Sequence, residues 1–340
     1  MEEKMHRKKT FLLSIIVLLF SPAYGNQLAI NADKNIIIWN TNNLSKKMLK
    51  TQYGIFSVIF SKDGRRLAAT APSDKKIIIW DTDSWTQPKV LDTHGSVYVM
   101  AFSQDGKLLV TSDPENAKIV LWNTDSWKKQ SDLNTGKPAT SIVFSPDGKL
   151  LAAGTAEGKL IIWDTNNWNQ KNILETGSFV GSVAFSPDGT LLVSGSYNRK
   201  VIIWNANSGK QKKVLEARSA IRSVAFSPDG TLLAAGSAGG KLIIWDTNNW
   251  NQENILEAGD WISSIAFSPD GTLLAAGTPS QRKVIIWNTN NWDRQKDLDT
   301  EVKSSATSVA WKPDQIDPIA QFGAKMGKKA KYIDIKIKTK

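Results

Sequence analysis

Aspartate and tryptophan recur in this chain at spacings that invite a chemical reading. Asp147-Gly148, Asp188-Gly189, Asp229-Gly230 and Asp270-Gly271 return every 41 residues. Regularly spaced carboxylates are candidate cation ligands, yet calcium takes about six to eight oxygens from closely placed groups. One Asp inside each Pro-Asp-Gly turn supplies too few, so these pairs read as turn residues, and Asp81-Thr82-Asp83 reads the same way. Trp85, Trp127, Trp168, Trp250 and Trp292 sit in the contexts TDSW, TDSW, TNNW, TNNW and TNNW. A ring of exposed indoles there could stack on sugars or grip a partner. The same indoles could instead cover the Pro or aliphatic edge of a neighbouring turn, which is the reading we prefer for a feature copied from unit to unit.

The 340 residues include no cysteine and only two histidines, His6 and His94. Without Cys there is no disulfide framework, thiol nucleophile, Cys-ligated zinc or iron–sulfur centre. Two histidines cannot build a His-rich metal site and make a His-based triad a poor expectation. The chain also holds no nucleophile elbow, phosphate loop or HExxH pattern. We therefore expect no catalytic residue, no metal and no cofactor. The enzymatic alternative is a carboxylate hydrolase assembled at a central channel from residues distant in sequence.

The elements that must position these residues follow from a repeat. Trp39, Trp80, Trp122, Trp163, Trp204, Trp245 and Trp287 are each followed by Asp or Asn, at spacings of 41 or 42, and each ends an aliphatic run such as IIIW or LIIW. FSKDG from Phe60, FSQDG from Phe102 and FSPDG from Phe144, Phe185, Phe226 and Phe267 mark a second series, and Trp311-Lys312-Pro313-Asp314 is a degenerate last copy. Residues 145–178 and 227–260 match at 28 of 34 positions. Within a unit, IRSVAFS, LLAAGS, KLIIWD and NILEA read as short strands separated by turns in which Pro fixes φ and Gly accepts φ > 0. The aliphatic runs are continuous, so both faces of each small sheet need covering. Stacking the sheets radially covers both faces, and no amphipathic helix recurs to suggest a helical solenoid or a (β/α) barrel.

With these motifs the chain resembles the WD-repeat β-propeller family, of the exported bacterial type, over residues 26 to about 315. The resemblance implies an all-β, seven-bladed propeller of four-stranded antiparallel blades. It also implies a closing blade shared by the two ends: QLAIN (27–31), NIIIWN (35–40) and KKMLK (46–50) lack an innermost strand, which SATSVAW (305–311) supplies. Residues 318–324 and 332–338 weakly resemble further strands, so eight blades is the alternative. The family often ties each blade with a hydrogen-bonded set of Trp, Ser/Thr, Asp and His. Here the Trp is kept throughout, with hydroxyls at Thr155, Ser196 and Ser237. The His position holds Thr51, Thr93, Thr135, Thr176, Ala217, Ala258 and Val302 instead. The Trp N–H groups are therefore expected to find other acceptors.

The ends differ from the body. Lys4, Arg7, Lys8 and Lys9, the apolar run FLLSIIVLLF at 11–20, and Ala23-Tyr24-Gly25 follow the order of an export signal over residues 1–25. The expected location is periplasmic or extracellular, with no membrane span after cleavage. Of the formal net charge of +11, residues 312–340 supply +5 through eight Lys and three Asp, and residues 1–25 supply +2. The basic tail, 316–340, reads as a solvated end, and nucleic acid is not an expected partner.

Structure explains what the repeats share, so function is sought where they differ. Counting back six from the motif Phe or Trp gives Gly54, Ser96, Pro138, Phe179, Ala220, Trp261 and Ser305, and counting back four gives Phe56, Tyr98, Thr140, Gly181, Arg222, Ser263 and Thr307. Positions two apart share a side of a strand, and in the family these strand starts rim the top of the channel. Tyr197 and Arg199 lie in a variable turn at the same end. Phe56, Tyr98, Phe179, Tyr197, Arg199, Arg222 and Trp261 are accordingly the expected binding residues, since aromatics and Arg dominate hot spots. The expected protein is a monomeric, non-catalytic scaffold for a protein or peptide on its top face, with a glycan or cell-wall module using the Trp ring as an alternative. Mass measurement of the exported chain is expected to find Asn26 as the first residue; retention of residues 1–25 would contradict the signal reading.

Overall fold

The computed structural model describes residues 27–41, 43–86, 88–299 and 308–313. The expected export signal (1–25), the basic tail (316–340) and residues 305–307 of the expected closing strand lie outside the described residues. Seven four-stranded antiparallel sheets form a ring of blades, and the only helix among the described residues is the 3₁₀ turn Pro72–Asp74. Blades 1 to 6 span 57–92, 100–134, 139–175, 180–216, 221–257 and 264–299. Blade 7 joins the two ends: Val309–Trp311 pairs with Gln27–Ala32, which pairs with Asn35–Asn40 and then Lys46–Lys50. The ring closes with seven blades, not eight.

Burial explains the strand composition. Innermost strands such as Ala139–Phe144 and Val180–Phe185 are buried along their whole length. An outer strand such as Gln170–Glu175 buries one residue, Leu174. Seven apolar clusters fill the seams, each drawn from two neighbouring blades. In the seam between blades 2 and 3, Leu121 and Leu133 meet Phe144, Ile161 and Trp163. Each such side chain contributes about 1.5–3 kcal/mol when fully buried, so the seams hold most of the stabilising energy.

The innermost strands pair on one side only, and the N–H groups on the other side need partners. A serine three residues before the motif Phe or Trp supplies them from the preceding blade. Val183, Val224, Ile265 and Val309 donate their N–H to the hydroxyls of Ser141, Ser182, Ser223 and Ser264 at 3.0–3.2 Å, and Val58 donates to Ser308 at 3.4 Å. Blade 2 carries Val99 at this position and interrupts the series.

At the other end of the blades the Ser-Pro-Asp-Gly turns lock themselves. Ser145 donates to Asp147 Oδ1 at 2.6 Å, and the same oxygen accepts the N–H of Lys149 at 3.0 Å. Burial raises the Asp147 carboxyl, but the Ser145 hydroxyl and the Lys149 N–H outweigh it and hold the carboxyl below its ordinary value. Asp188, Asp229 and Asp270 are held the same way by Ser186, Ser227 and Ser268. Thr165, Thr247 and Thr289, one residue past the Trp-Asp or Trp-Asn pair, donate to the carbonyls of Gly148, Gly230 and Gly271 at 2.6 Å. Gly230 has φ +77°, and a Cβ there would lie 3.3 Å from Pro187 of the blade before. The repeated Asp-Gly pairs thus tie turns together within and between blades.

Two of the third-strand Trp N–H groups have a hydroxyl acceptor on the second strand. Trp122 donates to Thr111 at 2.9 Å and Trp204 to Ser194 at 3.0 Å. Ala69, Ala153, Ala235 and Ala276 occupy that position in other blades and offer no side-chain oxygen. Thr155 and Ser237 lie two residues further along the strand and bond the backbone of Lys159 and Lys241 instead. The threonines at the His position close the loop ahead of the next blade, as Thr135 does by donating to the carbonyl of Lys137 at 2.7 Å.

Lys62 stands where Pro146, Pro187, Pro228 and Pro269 stand in other copies. Burial pulls its ammonium down to about 8 from an ordinary 10.5. The folded state then binds fewer protons than the unfolded chain between those values, so stability rises with pH across that window. Lys62→Pro is expected to stabilise the fold by about 1 kcal/mol at pH 7 and to flatten the rise between pH 8 and 10.5, as read by melts across that range.

Candidate binding face

The first-strand starts and the turns between second and third strands lie at one end of the ring, joined by bonds such as Tyr197 N–H to the carbonyl of Phe179 at 3.0 Å. The Ser-Pro-Asp-Gly turns occupy the opposite end. In blades 3, 4 and 5 the register shifts at the position four before the Phe: Ile221 faces Ser237 and Ser223 faces Gly236, so Arg222 is the extra residue of the bulge. A β-bulge of this kind re-aims the side chain of the extra residue. The alternation expected from the sequence therefore fails here, and the residue turns toward the next blade. Thr140 donates to the carbonyl of Val180 at 2.6 Å. A Cβ on Gly181 would come within 2.3 Å of the carbonyl oxygen of Ile221, so only glycine fits.

Arg222 follows the same direction and reaches blade 6. Its guanidinium lies 4.6 Å from the centre of the Trp261 ring and 5.4 Å from that of Tyr197. Tyr197 packs on Phe179 with centroids 4.5 Å apart and planes at 40°. Phe179, Tyr197, Arg222 and Trp261 thus form one continuous stack across blades 4, 5 and 6. Trp261 is half-buried rather than exposed, because Arg222 covers its ring and its Nε1 donates to Ser280 at 2.9 Å. Asp260 fixes the loop, accepting the N–H of Trp261 at 2.8 Å and that of Gln281 at 3.1 Å. Burial raises the Tyr197 hydroxyl, opposed in part by Arg222, so it stays neutral at physiological pH.

The other expected residues lie apart from this stack. Phe56 and Tyr98 meet edge to face across blades 1 and 2, with centroids 5.3 Å apart and planes at 87°. Arg199 is exposed at φ +69°, where its carbonyl accepts the N–H of Ala217 at 2.8 Å. Lys75, Ala117 and Arg282 hold the equivalent left-handed position in other blades, so turn geometry sets the place of Arg199. His94 is also left-handed and exposed, and its carbonyl accepts from Lys75 at 3.3 Å. Ser280 and Asp260 escape a reading based on strand starts. Their signal is the one extra residue between Trp245 and Trp287, which falls in the turn holding Ser280.

The five turn indoles behave as wedges. Trp85, Trp127, Trp168, Trp250 and Trp292 have φ between 53° and 62°, are half-buried, and pack against the seam clusters. Such a backbone costs about 1–3 kcal/mol for a bulky residue, which burial of the ring offsets. Arg66 covers Trp127 at 5.6 Å and Lys47 covers Trp85 at 5.0 Å. No cluster of three or more His, Asp or Glu suited to a metal ion occurs among the described residues.

The sequence profile of the WD domain, G-beta repeat, matches residues 45–81, 85–123, 129–164, 169–205, 209–246 and 250–288. Each matched unit combines the outer strand of one blade with the three inner strands of the next, so the profile cuts the ring one strand out of phase with the sheets. None of the curated proteins compared with the chain matches it. The six matches cover more than half of the chain and coincide with the blades, and the protein belongs to the WD-repeat family of β-propellers.

Proposed function

We propose that this propeller is a non-catalytic scaffold that binds a protein or peptide on the face carrying Phe179, Tyr197, Arg222 and Trp261. The observation behind the reading is the stack itself, in which one guanidinium lies against two rings, an arrangement seen in no other blade among the described residues. Features shared by all blades serve the architecture, whereas this one is built from positions where the repeats disagree. Arg, Tyr and Trp are the residue types enriched at binding hot spots, and a guanidinium held against two rings is preorganised for a partner. WD-repeat propellers are typically protein-interaction scaffolds and generally non-catalytic. No carboxylate stands at the seven positions four before the motif aromatic. The export reading of residues 1–25 adds the proposal that the partner is met outside the cytoplasm.

Affinity capture from the protein's own envelope or secreted fraction identifies the partner. Trp261→Ala is expected to lose that capture by at least about tenfold while costing the fold about 0.5–1 kcal/mol from the lost cation–π contact. Trp261→Phe is expected to retain most of both. Capture by Trp261→Ala at the wild-type level would overturn the proposal.

A further inference from the structure

The turn indoles define a seat that each blade offers to the loop of the next. Trp292 of blade 6 packs against the seam cluster to which blade 5 contributes Ile244 and Leu256, and Leu232 of blade 5 packs against the same cluster. Blade 6 offers blade 7 the same surface, as Leu273, Ile286 and Leu298. Thr41 and Leu44 meet it, and the sequence from Thr41 to Leu44 is TNNL, the TNNW motif with Leu in place of Trp. Leu44 has φ +59°, inside the range of the five turn indoles, but is 44% exposed.

The result is a cavity of about 110 Å³ lined by Trp39, Leu44, Leu273, Ile286 and Leu298, with Gln295 among its polar neighbours. Trp39 reflects the open seat: its six counterparts are 2–7% exposed, whereas Trp39 is only partly buried. Its Nε1 has no hydrogen-bond partner among the described residues. Blade 4, where Gly209 replaces the turn Trp, resolves the same deficit differently. A Cβ on Gly209 would lie 2.9 Å from Leu174 and 3.0 Å from Asn172, so the loop backbone itself lies against that seam.

We propose that the seam between blades 6 and 7 is a binding site for an indole-type aromatic ring supplied from outside the chain. Five other seams show what this surface accommodates, because each holds an indole delivered by its own loop. The cavity is smaller than the roughly 150 Å³ that encloses a benzene ring, but it is open at the surface, so a ring would enter by one edge and leave the other in solvent. The site lies at the end of the ring away from Trp261 and uses none of the residues of the proposed binding face.

The probe is 5-fluoroindole, followed by fluorine NMR with the wild-type protein and displaced by unlabelled indole. Saturable broadening is expected for the wild type. Leu44→Trp fills the seat from within and is expected to raise the melting temperature and to weaken 5-fluoroindole binding by at least about tenfold. Displacement by N-acetyltryptophanamide as well as indole supports the site with a protein side chain as its source. Displacement by indole alone supports it with a small molecule as its source. No binding to the wild type at millimolar probe, or binding to a folded Leu44→Trp at the wild-type level, overturns the proposal. Should Leu44→Trp fail to fold, Leu44→Phe carries the same expectation.

Discussion

A four-stranded sheet with strands of about six residues has two apolar faces and covers neither by itself. Everything else in this molecule follows from that constraint. Leu121 and Leu133 of one blade are stabilised only when Phe144 and Trp163 of the next are in place, and so on around the ring. The chain must therefore bring its ends together, and it does so by pairing Leu28 with Trp311 and Ile30 with Val309. Asn31 reinforces the junction, donating to the carbonyls of Ile55 and Phe56 in blade 1 at 3.2 and 3.0 Å. Burial drives closure, and the hydrogen bonds at the seams determine which neighbours fit.

The repeat supplies the polar side of the same problem. The open edge of each innermost strand would leave N–H groups stranded in a dry seam, where an unmade bond costs about 1–3 kcal/mol. The serine three residues before the motif Phe removes this cost from five seams with a single hydroxyl each. At the opposite end, the Ser–Asp–N–H lock and the Thr-to-Gly bond hold two turns of one blade together. Aspartates that could pass for cation ligands are thereby occupied by their own turns.

Blade number, strand order and the shared closing blade were legible in the sequence because they depend on period and on which strand each end lacks. The face of Arg222 was not legible, because a bulge breaks the two-residue alternation and nothing in IRSVAF marks it. The left-handed backbone of Trp168 and its repeats was equally hidden, since bulky residues avoid φ > 0 unless their surroundings compel it. The stack of Phe179, Tyr197, Arg222 and Trp261 was foreseen as a set of candidates, while its separation from Phe56, Tyr98 and Arg199 required the blade-to-blade geometry. Sequence periodicity reports the shared scaffold well and its local departures poorly.

The shared closing blade also sets an order of events for a chain emerging from a ribosome. Gln27–Ala32 can form a hairpin with Asn35–Asn40 at once, yet its other edge has no neighbour until Val309–Trp311 arrives. The first sheet to be made is the last to be completed. Throughout that interval an unpaired apolar strand is open to the wrong partner, and the near-identical copies in the chain offer several. The outer strand of the same blade, Lys46–Lys50, carries three lysines among its five residues. That charge guards its outer edge during the wait, which leaves the inner edge as the point where a holding chaperone would be most useful.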